Sequence, residues 1–553
     1  MTRLAIVGID GATYEIIRPM IEEGELPHIA RILKQGVSGD LESEKPPITP
    51  PAWTSMMTGI NPGRHGIFHF IRREKGSYDC KLVDSRNFAG KDIMSLLTRR
   101  NWSVGSLSVP MTYPPFPVKD GYMVSGIPMP LEGDTIAWPS GTMQEMGEFL
   151  GHPYKPDVNY APYDGDTEKP EDDFEAYERL RKELFAVEED RLAILKEWMR
   201  RKPTDFFFTV VSVTDRCQHY FWKFQDPTHD GYTEEGHRRF GEVIKDSYRL
   251  ADDFVGAVRE IVGEDVPVAL VSDHGFGPQY TDFHLNMWLE ENGYLVRKTP
   301  PYFTWGKTYL ADALRRAGLG FLAKIIGPLG KMPVVRPKVK RHADMRDVIW
   351  SKTKAFSAMH GICLNIRGRE PEGIVDPGEE ARRLLVEMEE KLHQLHTPDG
   401  KPAVDFCAKA TDMYTGPHIP SAPDLQFMMQ GLSCLPKEGW DLPTMFVRRK
   451  NAAISGQHRF NGIFALEGPG VAAGRILEDM HIQDTTPTLL ASVGEAVPSW
   501  MEGSVHPGVF AEPAEVAMVE EDEPAVGAMS ADAFSDEQTA AIEESLRGLG
   551  YLQ

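Results

Sequence analysis

Three apolar runs in this chain end on an aspartate. "AIVGID" ends at Asp10, "TVVSVTD" at Asp215, and "ALVSDHG" at Asp273 with His274 beside it. Imidazoles accompany them. His219 follows Asp215 by four residues, so the two share a face if a helix begins there. His458 stands in the glycine-flanked segment "ISGQHRFNG", read as a loop before a further strand. Converging carboxylates repel one another unless cations compensate. Carboxylate oxygens and imidazoles in sets of three or four suit Zn²⁺, with Mn²⁺ the other candidate. Taken singly, a strand-end aspartate is more often a helix cap and a loop histidine more often a surface residue. Their order and placement together make a divalent-metal site the economical explanation.

The stretch "ITPPAWTSMMTG" (48–59) offers a second kind of chemistry. Pro50 and Pro51 fix φ and remove backbone donors, which predicts an extended or turn-like backbone at Thr49 and a helix starting near Ala52. The plain reading is a corner ahead of that helix. The chemical reading is a hydroxyl held in place as a nucleophile, a role that needs activation because the free group is weak.

Elements of one kind must position these residues. The runs "LAIVGI" (4–9), "SVGSLSV" (103–109), "FFFTVVSV" (206–213), "PVALVS" (267–272), "LQFMM" (425–429) and "GIFALEG" (462–468) are nearly continuous apolar stretches of strand length. Helical patterns separate them, among them "LPHIARILKQG" (26–36), closed by Gly36, and a long one over 174–201. That alternation predicts an α/β fold with a parallel sheet buried on both faces. Functional groups in such sheets gather beyond the carboxyl ends of the strands, where Asp10, Asp215 and Asp273 fall.

With 553 residues and 41% hydrophobic content, the chain can bury a large core. Net charge is −22, from 60 basic and 82 acidic residues, which argues against bulk nucleic acid as a partner. No stretch approaches the roughly 20 apolar residues of a membrane span. Five scattered cysteines without a CxxC pair fit reduced thiols and a cytoplasmic location. Residues from about 290 to 350 leave the alternation: between Arg297 and Arg341 stand eleven basic residues against one acid, Asp312. This segment reads as a cap insertion, with a helix expected over 309–330, in a catalytic domain spanning 1–510. Residues 511–553 read as a solvated acidic linker leading to a C-terminal helix capped by Ser535, with a terminal apolar anchor.

The ordered set Asp10, Thr49, Asp215 with His219, Asp273-His274 and His458 resembles the alkaline phosphatase superfamily. Within it the segments "LPHIARILKQGVSG", "TPPAWTSMMTGINPGRHGI", "LVSDHGFGP", "GIFALEGPGV" and "DTTPTLLASVG" resemble the type I phosphodiesterase/nucleotide pyrophosphatase group, in the same order. The ending "LRGLGYL" is similar to endings seen there. The resemblance implies an alkaline-phosphatase-like, mostly parallel central sheet sandwiched by helices. It also implies a two-metal hydrolase of phosphodiester or nucleotide pyrophosphate bonds with a phosphothreonine intermediate. On that carry-over Asp215, His219 and His458 hold one metal, and Asp10, Asp273, His274 and the Thr49 oxygen hold the other.

Two departures stand out. Members of this group usually place an asparagine three residues after the nucleophile, where this chain has Ala52, and Pro50 has no N–H to offer a phosphoryl group. Lys45, Arg64 and His284 are the candidate substrate-binding replacements, each by default a surface charge or a packing residue. A phosphomonoesterase or phosphonate hydrolase of the same superfamily is the alternative activity, and a non-catalytic metal-binding scaffold the alternative of another class. A sulfatase would need a Cys or Ser nucleophile in a C/S-x-P-x-R setting, absent here. "VGIDGATYE" lacks the G-x-G-x-x-G pattern of a dinucleotide loop.

Overall fold

The computed structural model describes residues 2–298 apart from 75 and 164–172, residues 345–525 apart from 441, 443 and 451, and residues 533–552. Most of the basic insertion, including the helix expected over 309–330, lies outside the described residues.

Nine strands form the central sheet: β1 (Leu4–Ile9), β2 (Val37–Glu42), β3 (Val104–Val109), β4 (Tyr122–Ser125), β5 (Ala137–Trp138), β6 (Phe206–Val211), β7 (Val268–Val271), β8 (Asn461–Glu467) and β9 (Arg475–His481). Their spatial order is β9-β2-β8-β7-β1-β6-β3-β4-β5. β1 pairs in parallel with both β6 and β7, in register Ala5 to Phe207 and Ala5 to Val268. β3 is parallel to β6 and β4, and β2 is parallel to β9. The exceptions are β8, which runs antiparallel to β7 and β2, and β5, antiparallel to β4. The sheet is therefore mostly parallel.

Alternation along the strands divides the core in two. Ala5, Val7 and Ile9 of β1 join one apolar cluster, and Leu4 and Ile6 join the other; Phe207 and Phe208 split in the same way. Both faces are dry because helices cover both, so the runs read as continuous apolar stretches rather than alternating ones. The helices Tyr14–Glu22, Pro27–Gln35, Phe174–Arg201 and Val243–Val262 cover the first face. Those of Thr49–Thr58, Ile93–Arg99 and Thr485–Ser492 cover the second.

The run Leu425–Met429 does not belong to this sheet. It lies in a second, seven-stranded sheet with Thr281–His284, Ala355–Ala358, Gly361–Leu364, Val404–Lys409, Cys434–Lys437 and Phe446–Arg448, which has its own apolar cluster. An apolar strand records that it is buried, and carries no mark of which sheet buries it. The acidic stretch after residue 511 is less free than a solvated linker: Met518–Val519 pairs with Val497–Pro498, and Glu523 is ion-paired to Arg64 and Lys91. Ser535 caps the Asp536–Gly548 helix through a capping box with Gln538, as expected.

Candidate active site

β1, β6 and β7 are neighbours at the centre of the sheet, so the residues after them converge. Asp10 follows β1, and its N–H donates to the Val211 carbonyl at 3.0 Å. The chain after β6 turns at once into the helix Val213–Gln225, which carries Asp215 and His219 on one face. The start of that helix is tied down by buried Glu188, whose Oε1 accepts from the N–H groups of Ser212 (2.8 Å) and Val213 (3.1 Å) and from Arg191 (2.6 Å). Asp273 and His274 follow β7. His458 lies in a short strand, Gly456–Arg459, paired antiparallel with Gly275–Pro278, rather than in the expected loop; pairing with the segment after β7 brings it to the site.

Thr49 is the first residue of a helix, Thr49–Thr58, with Ile48 extended before it. The helix thus begins about one turn before the expected start near Ala52 and takes in Thr49, which was expected to be extended or turn-like. Prolines at the second and third positions are tolerated because the first N–H groups of a helix have no intrahelical partner to lose. The Ala52 N–H is satisfied by the Ile48 carbonyl at 3.1 Å. This helix start therefore lacks the usual row of free donors that would cradle an anion.

The ligating atoms assemble tightly. His219 Nε2 lies 3.1 Å from His458 Nε2 and 3.5 Å from Asp215 Oδ1, and His458 Nε2 is 3.4 Å from the same oxygen. His274 Nε2 lies 3.2 Å from Asp273 Oδ2, 3.7 Å from Asp10 Oδ1 and 3.4 Å from the Thr49 hydroxyl. Two triples could each surround an ion: Asp215, His219 and His458, and Asp10, Asp215 and His274. The second differs from the sequence expectation in taking Asp215, with Asp273 alongside.

Each of the three histidines pairs its Nδ1 with a backbone carbonyl: His219 with Gly456 (3.1 Å), His274 with Gly275 (3.1 Å) and His458 with Pro47 (2.8 Å). A carbonyl only accepts, so Nδ1 carries the proton and Nε2 presents its lone pair to the cluster. Opposite them, both oxygens of Asp10, both of Asp273 and Oδ1 of Asp215 are buried with no hydrogen-bond donor. Buried polar atoms are rarely left so, and here they face neutral lone pairs instead of donors. The residues present fit divalent cations.

The electrostatics say the same of the metal-free cluster. Burial, then the Asp215 charge, pushes the Asp10 carboxyl up to about 8. Asp273 is raised well above the carboxylate range by burial and by Asp10. Burial would raise Asp215 too, but His219 and Arg216 outweigh it and hold it low. Burial drives His219 down to about 3 and His274 well below its ordinary value. Three carboxylates cannot ionise together here without added positive charge.

The candidate substrate-binding residues are engaged elsewhere. Arg64 contacts Glu523 (2.5 Å), Glu502 (3.6 Å) and the Trp500 carbonyl (2.8 Å). Lys45 pairs with Glu42 at 3.0 Å, its ammonium 4.7 Å from the Phe460 ring centre. His284 sits at the end of its strand in the second sheet, its N–H donating to the Met445 carbonyl and its ring against Gly439. Two residues that sequence reasoning passed over stand in the cluster instead. Arg216 donates to Asp215 Oδ2 at 2.6 Å, and Tyr551, from the far end of the chain, brings its hydroxyl within 3.2 Å of His219 Nε2. Arg216 had a signal, a cation adjacent to Asp215. Tyr551 had none but its place in "LRGLGYL".

Comparison with known proteins agrees with the fold. Residues 4–460 match the family described as type I phosphodiesterase / nucleotide pyrophosphatase. Phosphonoacetate hydrolase from Sinorhizobium meliloti 1021, in complex with phosphonoformate, superposes with a TM-score of 0.50 at 13% identity, over 89% of this chain and 95% of that one. Human ectonucleotide pyrophosphatase/phosphodiesterase 5 gives 0.47 at 13% identity, over 92% and 100% of the two chains. A mutant of alkaline phosphatase PafA gives 0.48 at 14%, over 92% and 99%. No curated protein matches the chain. The chain belongs to the type I phosphodiesterase/nucleotide pyrophosphatase family and is a metal-dependent phosphoester hydrolase.

Proposed function

We propose that the protein hydrolyses phosphodiester or nucleotide pyrophosphate bonds by way of a phosphothreonine on Thr49, with two divalent metals, zinc in the first instance. The observation that carries this reading is the cluster of three carbonyl-tethered imidazoles and five donorless carboxylate oxygens, with the Thr49 hydroxyl 3.4 Å from one of those imidazoles, His274. Asp215, His219 and His458 would hold one cation, and Asp10, His274 and Asp273 the other. When bound, the pair supplies charge neutralisation for the attacking and leaving oxygens and lowers the pKa of the hydroxyl.

The chain's own residues do the rest. The helix beginning at Thr49 holds Oγ1 on the cluster, and the buried site excludes bulk water. Oγ1 gives up its proton and attacks phosphorus in line while the P–O bond to the leaving group opposite breaks and that oxygen takes up a proton. Water then attacks from that opposite side, the P–Oγ1 bond breaks, and a proton from the water restores the Thr49 hydroxyl. Arg216 is the cation in the cluster available to a phosphoryl oxygen, a task that neither Pro50 nor Ala52 can perform.

The experiment is a panel of aryl phosphate monoesters and diesters and a phosphonate, assayed with and without added Zn²⁺ or Mn²⁺, with the metal counted. We expect about two equivalents of metal, fewer in Asp273→Ala, and turnover of diesters. Full activity in exhaustive chelator with no metal detected would overturn the reading. Preference for the monoester would favour the phosphomonoesterase alternative.

A further inference from the structure

The last helix of the chain, Asp536–Gly548, is followed by a buried tail. Leu546, Leu549, Tyr551 and Leu552 join the apolar cluster that also contains Phe70 and Tyr220. The Gly548 carbonyl accepts from the Tyr220 hydroxyl at 2.5 Å, and the Tyr551 ring stacks on Phe70 with centres 4.7 Å apart. Gly550 makes the turn between them at φ +76°, and a Cβ there would lie 2.7 Å from Ile454. The tail is thus docked by packing and by hydrogen bonds, and it delivers one polar atom.

That atom, the Tyr551 hydroxyl, is 3.2 Å from His219 Nε2, 3.3 Å from Asp215 Oδ2 and 3.4 Å from His458 Nε2. His219 Nε2 and His458 Nε2 are 3.1 Å apart and lie 3.5 and 3.4 Å from Asp215 Oδ1, the oxygen on the other side of that carboxylate from the one the hydroxyl touches. Four ligands set tetrahedrally around an ion at about 2.0 Å have edges of about 3.3 Å. The hydroxyl stands at that edge length from both imidazole nitrogens, as a fourth ligand would, and a catalytic metal site ordinarily leaves its fourth position open for substrate. On its other side Tyr551 lines a cavity of about 240 Å³ with His69, His360 and Arg547.

Resting on the reading that Asp215, His219 and His458 hold a metal, we propose that Tyr551 is the fourth ligand of that metal in the resting enzyme. The C-terminal tail thereby closes the site, and a phosphoryl oxygen reaches the ion by displacing the phenol. Arg216, whose NH1 lies 3.2 Å from the hydroxyl, donates to whichever oxygen stands there. The tail is a self-supplied competitor for the substrate position, 93 residues along the chain from His458 and 332 from His219.

Two measurements test this on the full-length protein. Hydrogen exchange of the wild type is followed over residues 546–552. Added zinc should slow exchange there, and inorganic phosphate should speed it again only when zinc is present. In parallel, Tyr551→Phe is compared with wild type for bound zinc and for phosphate affinity by calorimetry. We expect two equivalents in both proteins and phosphate bound about tenfold more tightly by the variant, since no ligand must leave. Unchanged or weaker phosphate binding in a variant holding two equivalents would overturn the proposal, as would tail exchange indifferent to zinc. A wild type that binds no zinc would instead overturn the metal reading on which the proposal rests.

Discussion

Gly456→Ala isolates the packing that holds the candidate metal centre together. Gly456 opens the strand carrying His458, and its carbonyl accepts the Nδ1–H of His219. A Cβ at Gly456 would stand 2.2 Å from the Gln218 carbonyl oxygen and 2.9 Å from the Phe276 ring. The backbone there is outside the left-handed region, so alanine brings a collision without torsional strain. Relief to ordinary contact distance requires the strand and the Val213–Gln225 helix to part by about 1 Å. His219 rides on one and His458 on the other, 3.1 Å apart. Ligand positions tolerate only about 0.2 Å, and a 1 Å misplacement costs about 10²-fold in rate. We expect roughly one equivalent of zinc to be lost and kcat to fall about 100-fold, with an overpacking cost of about 1–3 kcal/mol in stability. Metal analysis, steady-state kinetics with zinc titrated back, and thermal unfolding check the three parts. A variant with two equivalents and turnover within about twofold of wild type would refute the argument that this contact sets the ligand geometry.

Thr49→Ala should lower kcat by several orders of magnitude while Thr49→Ser keeps part of the activity, and isotopically chiral phosphate should show net retention; wild-type turnover of the alanine variant sinks the nucleophile. Metal removal should matter more as pH rises. The Asp10 carboxyl, raised to about 8 by burial and then by Asp215, stabilises the metal-free fold below the usual carboxylate range, and that contribution is lost as pH climbs through 8. The gain in Tm on adding zinc should therefore grow between about pH 6 and 8, and a gain independent of pH contradicts the assignment. Glu188→Ala leaves buried Arg191 without its carboxylate and the start of the Asp215 helix without its acceptor, a loss of about 3–5 kcal/mol read as a lower urea midpoint. A midpoint unchanged within error would mean that water replaces the carboxylate.

What the sequence by itself determined about this protein is everything that local rules govern. Continuous apolar runs marked β1, β6 and β7 because burial on both faces removes the polar alternation, and the aspartates at their ends marked the rim where groups collect. The helices Pro27–Gln35 and Phe174–Arg201 and the cap at Ser535 were legible because periodicity and end residues are written within a few turns. Asp10, Asp215, His219, Asp273 and His274 were legible as a candidate cluster because each sits beside a strand end or on the helix after one. Tertiary structure alone decided how distant segments meet. It put Leu425–Met429 in another sheet, reversed β8, and turned the loop expected around His458 into a strand paired with the segment after β7. It drew Arg64 to Glu523 and brought Tyr551 beside His219, pairings across 459 and 332 residues. Such contacts are decided by which apolar surfaces pack together. That choice depends on shape in three dimensions and leaves no periodic trace along the chain.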